Sequence, residues 1–247
     1  MLLEGKVALV TGSGRNIGRT VALTLAAEGA NVVVNARSNQ GEVDSVAAEA
    51  RELGVKALPV LADVGSHLQL EILLDQALSE FGHIDIVVNN ASVRPHKAFA
   101  EMTYDDWRGV MATDLDSAFL TARAALPGML ERQWGRIINI SGLQAFQGRH
   151  GGAHISAAKV GLIGLTRALS TELAPDGILV NCVVPGLIDT SREGQSGTRP
   201  PGRIAEIPAG RMGKTDDIAG VCKFLCSEAA GFVTGQTIHV NGGERGF

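Results

Sequence analysis

The stretch "VALVTGSGRNIGRTVALTLA", residues 7–26, decides the fold, because it combines a strand, a turn and a helix in that order. Its first four residues are apolar, as in a strand that is buried on both faces. A turn containing Gly12 and Gly14 follows, and the remaining residues have helical periodicity. At such a helix N-terminus, free backbone amides can hold a pyrophosphate. The alternative is an ordinary strand-to-helix turn.

Further short apolar runs follow along the chain, separated by segments of helical periodicity. The predicted strands are 6–10, 31–36, 56–62, 84–90, 135–141, 177–185 and 236–240. The predicted helices include 16–28, 67–80, 104–131 and 153–173. This alternation predicts one α/β domain over residues 1–247, a Rossmann-like doubly wound sheet of about seven parallel strands.

The alternation breaks at residues 190–208, "TSREGQSGTRPPGRIAEIP", which are rich in Gly, Ser, Pro and Arg and have no apolar period. An irregular segment of this length in a compact domain is typical of a lid or of a disordered segment. We expect a mobile lid over a substrate pocket.

The glycine turn departs from the pattern G-x-G-x-x-G, because Ile17 stands where the third glycine belongs. It fits instead the variant T-G-x-x-x-G-x-G, with Asn16 in the middle position. Asparagine tolerates a positive φ better than most other residues do. The loop residues expected to contact a dinucleotide are Gly12, Ser13, Arg15, Asn16, Ile17 and Gly18.

The second predicted strand ends in "VVVNARSN", residues 32–39, and lacks the acid that would bind a ribose 2′-hydroxyl in an NAD site. Arg37 stands there instead. Together with Arg15 it can bind a 2′-phosphate through paired guanidinium donors. This predicts NADP(H) as the cofactor; the alternative is two solvated surface arginines.

Composition excludes several function classes. The net charge is −4 and the 22 basic residues are scattered, so we expect neither a nucleic-acid nor a membrane partner. The N-terminal "MLLEGKVALV" has no basic leader and no long apolar run, which predicts a cytoplasmic protein. The three cysteines, Cys182, Cys222 and Cys226, lack further ligands at metal spacing, so we expect free thiols and no metal.

Several short motifs in the chain resemble those of the short-chain dehydrogenase/reductase family. In chain order they are "ADV" (62–64), "NNAS" (89–92), "NIS" (139–141), "AAKVGLIGLT" (157–166), "VNCVVPGLIDT" (180–190) and "GQTIHVNGG" (235–243). The pattern is most similar to the branch of 3-oxoacyl-acyl-carrier-protein reductases. The resemblance implies a homo-oligomer, a tetramer or a dimer, with interfaces on helices 104–131 and 153–173.

The resemblance also assigns cofactor contacts beyond the glycine loop. Further residues expected along the cofactor are Asp63, Val64, Asn90, Ala91, Lys159, Pro185, Gly186, Ile188 and Thr190.

The family's catalytic group is an Asn, a Ser, a Tyr and a Lys, with the Tyr four residues before the Lys on one helical face. Lys159 is present, but Ile155 stands in the position of the tyrosine and Gly142 in that of the serine. Asp114 stands in the position of the asparagine. No tyrosine lies between residues 105 and 247, so no shift of register supplies one.

Other side chains are candidates to replace the missing phenol. His154, His150 and His96 are possible general acids, since a histidine can donate a proton near neutral pH. His154 lies five residues before Lys159, about 140° away around the helix, so it does not take the missing tyrosine's direction if the helix already includes it, and it is freer if the helix starts later. Ser141 neighbours the empty serine position, although successive strand residues face opposite sides. Solvated histidines in polar loops are the alternative.

Asp114 is expected to lie near the ammonium of Lys159 and to raise its pKa, which makes Lys159 a poor acid. Alternatively, Asp114 is a helix residue that contacts backbone. Arg94 and Lys97, in the loop after the fourth strand, can meet an anionic substrate or serve solubility alone.

We expect an NADP(H)-dependent oxidoreductase with an atypical proton donor, acting on a small carbonyl, alcohol or enone. Reduction of an enone suits the site, because water can protonate the resulting enolate. A catalytically silent NADP(H)-binding module, such as a subunit of a mixed oligomer, is the alternative. A third reading, non-redox chemistry on the same fold, would favour a degraded glycine loop, which this chain lacks.

Overall fold

A parallel sheet of seven strands lies at the centre of a computed structural model that describes residues 1–190 and 201–245, and its strand order is β3-β2-β1-β4-β5-β6-β7. The strands are β1 Val7–Val10, β2 Asn31–Ala36, β3 Ala57–Leu61, β4 Ile86–Asn89, β5 Gly135–Ile140, β6 Ile178–Pro185 and β7 Thr237–Val240. This confirms the predicted fold class.

Helices cover both faces of the sheet. They are α1 Asn16–Ala27, α2 Gln40–Glu52, α3 His67–Phe81, α4 Tyr104–Met111, α5 Ser117–Arg132, α6 Gln144–Gln147, α7 Ala153–Leu173, α8 Pro201–Ala205 and α9 Thr215–Cys226. Among the described residues, no helix combines the length and the apolar character that crossing a membrane requires.

Side chains of each strand alternate between two cores. Ala8 and Val10 of β1 belong to the core that includes residues of α1, α2 and α9. Leu9 belongs to the opposite core, with residues of α3 and α5. Burial on both faces explains why the strands are continuous apolar runs.

The prediction of one helix over 104–131 is wrong in its middle, where Ala112–Asp116 form a π-helical turn between α4 and α5. Two hydroxyl groups bond to carbonyl oxygens four residues earlier: Thr113 to Gly109, at 3.1 Å, and Ser117 to Thr113, at 2.7 Å. π-turns of this kind often occur at functional sites. This one contains Asp114.

The sheet reverses its winding between β1 and β4, which are parallel neighbours although five elements separate them in sequence. Ligands of doubly wound sheets bind at this switch point, beyond the carboxyl ends of the strands.

The prediction that residues 190–208 are irregular is wrong at the C-terminal end of this segment, where α8 forms and Ile207 is buried. Residues 191–200 of the predicted lid lie outside the described residues.

Candidate active site

A cleft of about 500 Å³ opens at the switch point. Its walls come from the loops that follow β1, β2, β3 and β4. The lining residues are Gly12, Gly14, Arg15, Asn16, Ile17, Gly18, Asn35, Ala36, Arg37, Ser38, Asn39, Glu42, Ala62, Asp63, Val64, Asn90, Ala91, Ser92, Val93, Arg94, Thr113 and Thr190.

The glycine loop has the backbone conformation that its residue types suggest. Gly12 has a φ of +62° and Asn16 a φ of +52°. A Cβ on Gly18 would lie 2.3 Å from the carbonyl oxygen of Gly12 and 2.5 Å from Nδ2 of Asn90. Only glycine fits there, because the loop packs directly against the first turn of α1.

The N-terminus of α1 suits the pyrophosphate of a dinucleotide. Arg15, the N-cap residue, makes no side-chain capping bond, and the first turn contains no acid. The first backbone amides of a helix have no intrahelical partner, and the helix dipole favours a negative ligand there. The residues present therefore fit a bound phosphate group.

Arg37 and Arg15 both line the cleft, at the end that Asn39 and Glu42 also line, which we call the outer end. The sequence predicts that both arginines bind a 2′-phosphate there. Sequence reasoning missed Glu42 in the first turn of α2, whose Oε1 lies 4.0 Å from Nη1 of Arg15. The negative charge of Glu42 repels a phosphate at this end of the cleft and partly offsets the attraction of the two arginines for it. No sequence motif marks Glu42, since its position depends on where α2 begins.

The remaining predicted cofactor residues divide into two groups. Asp63, Val64, Asn90, Ala91 and Thr190 line the cleft. Ser13, Lys159, Pro185, Gly186 and Ile188 do not line the cleft that the described residues form.

Two of these residues have structural roles that the packing explains. Ser13 is buried and its hydroxyl donates to the carbonyl of Val10 at 2.6 Å and accepts from the amide of Asn35 at 2.9 Å. Gly186 allows a close approach, since a Cβ there would lie 2.6 Å from the Cβ of Asn241.

The inner end of the cleft is the end that Ser92, Val93 and Thr113 line. A buried ion pair lies behind it. Nζ of Lys159 is 3.1 Å from Oδ2 of Asp114, and the side chains are only 3% and 0% exposed. Nζ also donates to the carbonyl of Ile140 at 3.1 Å. Asp114 accepts from the Ser92 hydroxyl at 2.5 Å and from the Val93 amide at 2.8 Å. Asp114 thus contacts both Lys159 and backbone, the two roles that sequence reasoning left open.

Asp114 raises the pKa of Lys159, as expected, but the expected consequence, a poor acid, is wrong because the net shift is downward. Burial lowers the pKa of Lys159 below its ordinary value, and the Asp114 carboxylate opposes this shift without cancelling it. The positive charge of Arg94 contributes to the lowering.

Several predicted catalytic side chains do not reach the cleft. The Ser141 hydroxyl donates to the carbonyl of Lys159 at 2.9 Å and is buried. His154 is fully buried inside α7, and both ring nitrogens lack a hydrogen-bond partner among the described residues. Since α7 begins at Ala153, His154 lacks the freedom of a residue outside a helix. His96 and His150 lie exposed on loops.

The position of the missing tyrosine is occupied by an apolar cluster. Ile155 is fully buried with Val110, Met111 and Ala158, and Val93 packs against this cluster from the cleft side. The side chain of Ile155 has no polar group and therefore cannot transfer a proton.

The position of the missing serine faces an amide that sequence reasoning did not identify. A Cβ on Gly142 would lie 3.3 Å from Oε1 of Gln144. Gln144 begins the short helix α6, and its side chain makes no hydrogen bond within the described part of the chain. An amide offers both a donor and an acceptor. Its spacing two residues after Gly142 is the only sequence signal for it.

The described residues form neither a metal-binding cluster nor a disulfide. No group of three metal-ligating side chains occurs there. The three cysteines are free and buried. Burial raises the pKa of the Cys182 thiol to about 11 and that of Cys226 to about 12, which makes both poor nucleophiles.

The chain is similar to known oxidoreductases along its whole length. Residues 12–244 match the sequence model of a family described as enoyl-(acyl carrier protein) reductase. The 3-oxoacyl-acyl-carrier-protein reductase of Escherichia coli K12 is 39% identical over 244 residues, 98% of each chain. The corresponding reductase of Aquifex aeolicus is 41% identical over 243 residues, again 98% of each chain. The solved structure of acetoin dehydrogenase from Salmonella typhimurium has a TM-score of 0.89 and 34% identity, covering 96% of this chain and 95% of that one.

Proposed function

The chain belongs to the short-chain dehydrogenase/reductase family, and from that premise we propose that it is an NADP(H)-dependent oxidoreductase with a proton donor other than tyrosine. Its substrate is a small carbonyl, alcohol or enone. The observation that carries the proposal is the cleft itself, in which the glycine loop and Arg37 line a single continuous surface.

The residues that would hold the cofactor follow from this surface. Amides at the start of α1 would bind the pyrophosphate, Arg15 and Arg37 would bind the 2′-phosphate, and Asp63 and Val64, which line the same cleft, would contact the adenine. The bound nicotinamide supplies or accepts a hydride. Asn90 supports the loop, since its Nδ2 donates to the carbonyls of Thr11 and Gly12 at 2.9 and 3.0 Å.

The substrate oxygen needs polar contacts that the missing serine and tyrosine would have made. We assign Gln144 this role, because its amide lies at the serine position and is unpaired within the described part of the chain. Lys159 is held by Asp114 and the Ile140 carbonyl, so we assign it a role in stabilising the pocket. Reduction of an enone suits this site, because water can deliver the proton to carbon.

NADPH should bind more tightly than NADH, and Arg37→Ala should remove most of that preference. A hydrogen bond to a charged group contributes roughly 1.5–3 kcal/mol, which is about a tenfold to hundredfold change in affinity. Glu42→Gln should act in the opposite direction and increase the preference, since it removes a negative charge from the phosphate end. Titration of cofactor fluorescence measures both effects.

The matched control is Arg19→Ala, which removes an arginine from α1 that pairs with Glu49 on α2 and does not line the cleft. Its preference for NADPH should remain that of the parent. Equal affinities of the parent for NADPH and NADH would exclude the assignment of NADP(H).

A specific observation also favours the second function, a silent NADP(H)-binding module. The hydroxyl of Ser141 and the ammonium of Lys159 are both engaged with backbone groups, and Ile155 provides no proton. Such a module would bind NADPH tightly, and would neither oxidise it with a ketone or enone nor reduce NADP⁺ with an alcohol. Turnover of one substrate is enough to exclude it.

Apolar side chains on the helices predicted to form interfaces support a homo-oligomer. Tyr104 is 74% exposed on α4, Phe119 46% on α5 and Val160 50% on α7. Light scattering on the purified chain should give the mass of a dimer or a tetramer, and a monomer at micromolar concentration would contradict this. The free, buried thiols are compatible with the proposed cytoplasmic location, which cell fractionation tests.

A further inference from the structure

Two loops beside the inner end of the cleft form one continuous surface. The amide of Lys97 donates to the carbonyl of Gly151 at 3.0 Å, and a Cβ on Gly151 would lie 3.4 Å from Nδ1 of His96. These loops carry five basic residues, which we call the basic rim: Arg94, His96, Lys97, Arg149 and His150.

Among the residues that the structure describes, most of the basic rim has no neutralising partner. Lys97 is the exception, since its Nζ lies 3.4 Å from Oδ2 of Asp106. Within residues 1–190 and 201–245, the side chains of Arg94, His96, Arg149 and His150 make no hydrogen bond or ion pair. A locally positive surface on a chain of net charge −4 attracts anions.

Arg94 connects this rim to the inner end of the cleft. It lines the cleft, and it directly follows Val93, whose amide donates to Asp114 at 2.8 Å. Asp114 in turn pairs with Lys159. The Asp114 carboxylate is thus already occupied, and it does not neutralise Arg94.

We propose that the basic rim, with Arg94 as its main contact, binds a carboxylate on the substrate, so that the enzyme acts on small oxo acids and the corresponding hydroxy acids. This inference rests on the proposed function and adds a substrate class to it. A guanidinium matches a carboxylate through two parallel hydrogen bonds. A neutral ketone has no group that uses this contact.

The test compares each oxo acid with an uncharged ester of the same acid. The probes are 3-oxobutanoate and 4-oxopentanoate, each with its ethyl ester, which keeps the ketone and removes the negative charge. Broadening of the ligand methyl signals in proton NMR gives dissociation constants, measured with and without NADP⁺. Steady-state oxidation of NADPH gives KM and kcat for the same four compounds.

At least one acid should bind the parent about tenfold more tightly than its ester. Arg94→Ala should remove this difference by weakening acid binding alone, and Arg94→Glu should make the ester the better ligand. Arg108→Ala is the matched control, because it removes an arginine of α4 that lies outside the basic rim and is already paired with Asp116. It should change acid binding by less than about twofold.

Equal binding of acids and esters to the parent would overturn the proposal, as would an equal loss of both in Arg94→Ala. Failure of the proposed function gives a different result, namely that no ketone or enone oxidises NADPH and no alcohol reduces NADP⁺. Acid binding that depends on Arg94 would still be measured by NMR in that case.

Discussion

The double variant Gly142→Ser, Ile155→Tyr should reduce a simple ketone at least about a hundredfold faster than the parent. A positioned general acid contributes roughly 10²–10⁴-fold. The new phenol would lie four residues from Lys159 on the same helical face, and the positive charge would lower its pKa. The new serine fits, because the nearest atom to its Cβ, Oε1 of Gln144, belongs to a flexible side chain.

Asp114 should limit the gain, since it pairs with the same ammonium at 3.1 Å. Adding Asp114→Asn should therefore raise ketone reduction further. NADPH oxidation with ethyl 3-oxobutanoate measures all three proteins, after thermal unfolding and cofactor titration show that each is folded. Tyrosine is larger than Ile155 in a packed cluster, and overpacking of this kind costs about 1–3 kcal/mol.

Gln144→Ala provides the internal control for this prediction. It should slow turnover in the parent, where the amide is the assigned contact for the substrate oxygen, and have less effect once Gly142→Ser supplies a hydroxyl. If folded double and triple variants reduce no ketone while the parent turns over another substrate, the site has been rebuilt around different chemistry.

Asp114→Ala should lower the free energy of unfolding by about 3–5 kcal/mol, because it leaves the ammonium of Lys159 buried without its opposite charge. Urea unfolding measures the change. The matched control is Asp116→Ala in the same π-helical turn, which breaks a half-exposed pair with Arg108. Exposed pairs of this kind contribute about 0–1 kcal/mol.

The loss in Asp114→Ala should become smaller as the pH rises. Without the carboxylate, burial lowers the folded-state pKa of Lys159 further below its ordinary value of 10.5. At a pH between the pKa of Lys159 in the folded variant and its value of 10.5 in the unfolded chain, the unfolded chain binds more protons than the folded chain. The free energy of unfolding of Asp114→Ala therefore rises with pH in this range. A loss that stays constant from pH 7 to 10, or that equals the loss in Asp116→Ala, would show that the pair is not the source of the effect.

The fold was largely predictable because burial on both faces leaves a direct record in the sequence. Strand β2 and helix α7 have the bounds predicted from the apolar pattern, residues 31–36 and 153–173. The π-helical turn at Ala112–Asp116 was not predictable in this way, because one extra residue in a helix hardly disturbs a broad apolar period.

The candidate site was predictable where backbone conformation sets the residue type, as at Gly12 and Asn16, both of which have a positive φ. It was not predictable where packing sets the direction of a side chain. Ser13 faces the interior, and His154 is covered completely once α7 begins one residue before it. Gln144 was missed because only the folded loop brings it to the position of the missing serine.

Transfer of deuterium from 4-deuterated NADPH tests the central claim most directly, namely that this cleft performs hydride transfer without a tyrosine. The deuterated cofactor is incubated with the parent and a panel of enones, ketones and small oxo acids, and the products are analysed by mass spectrometry. The account predicts that at least one product carries a single deuterium on carbon and that NADPH disappears in equal amount. Tight binding of NADPH without deuterium in any product would contradict it and would identify the chain as a silent cofactor-binding module.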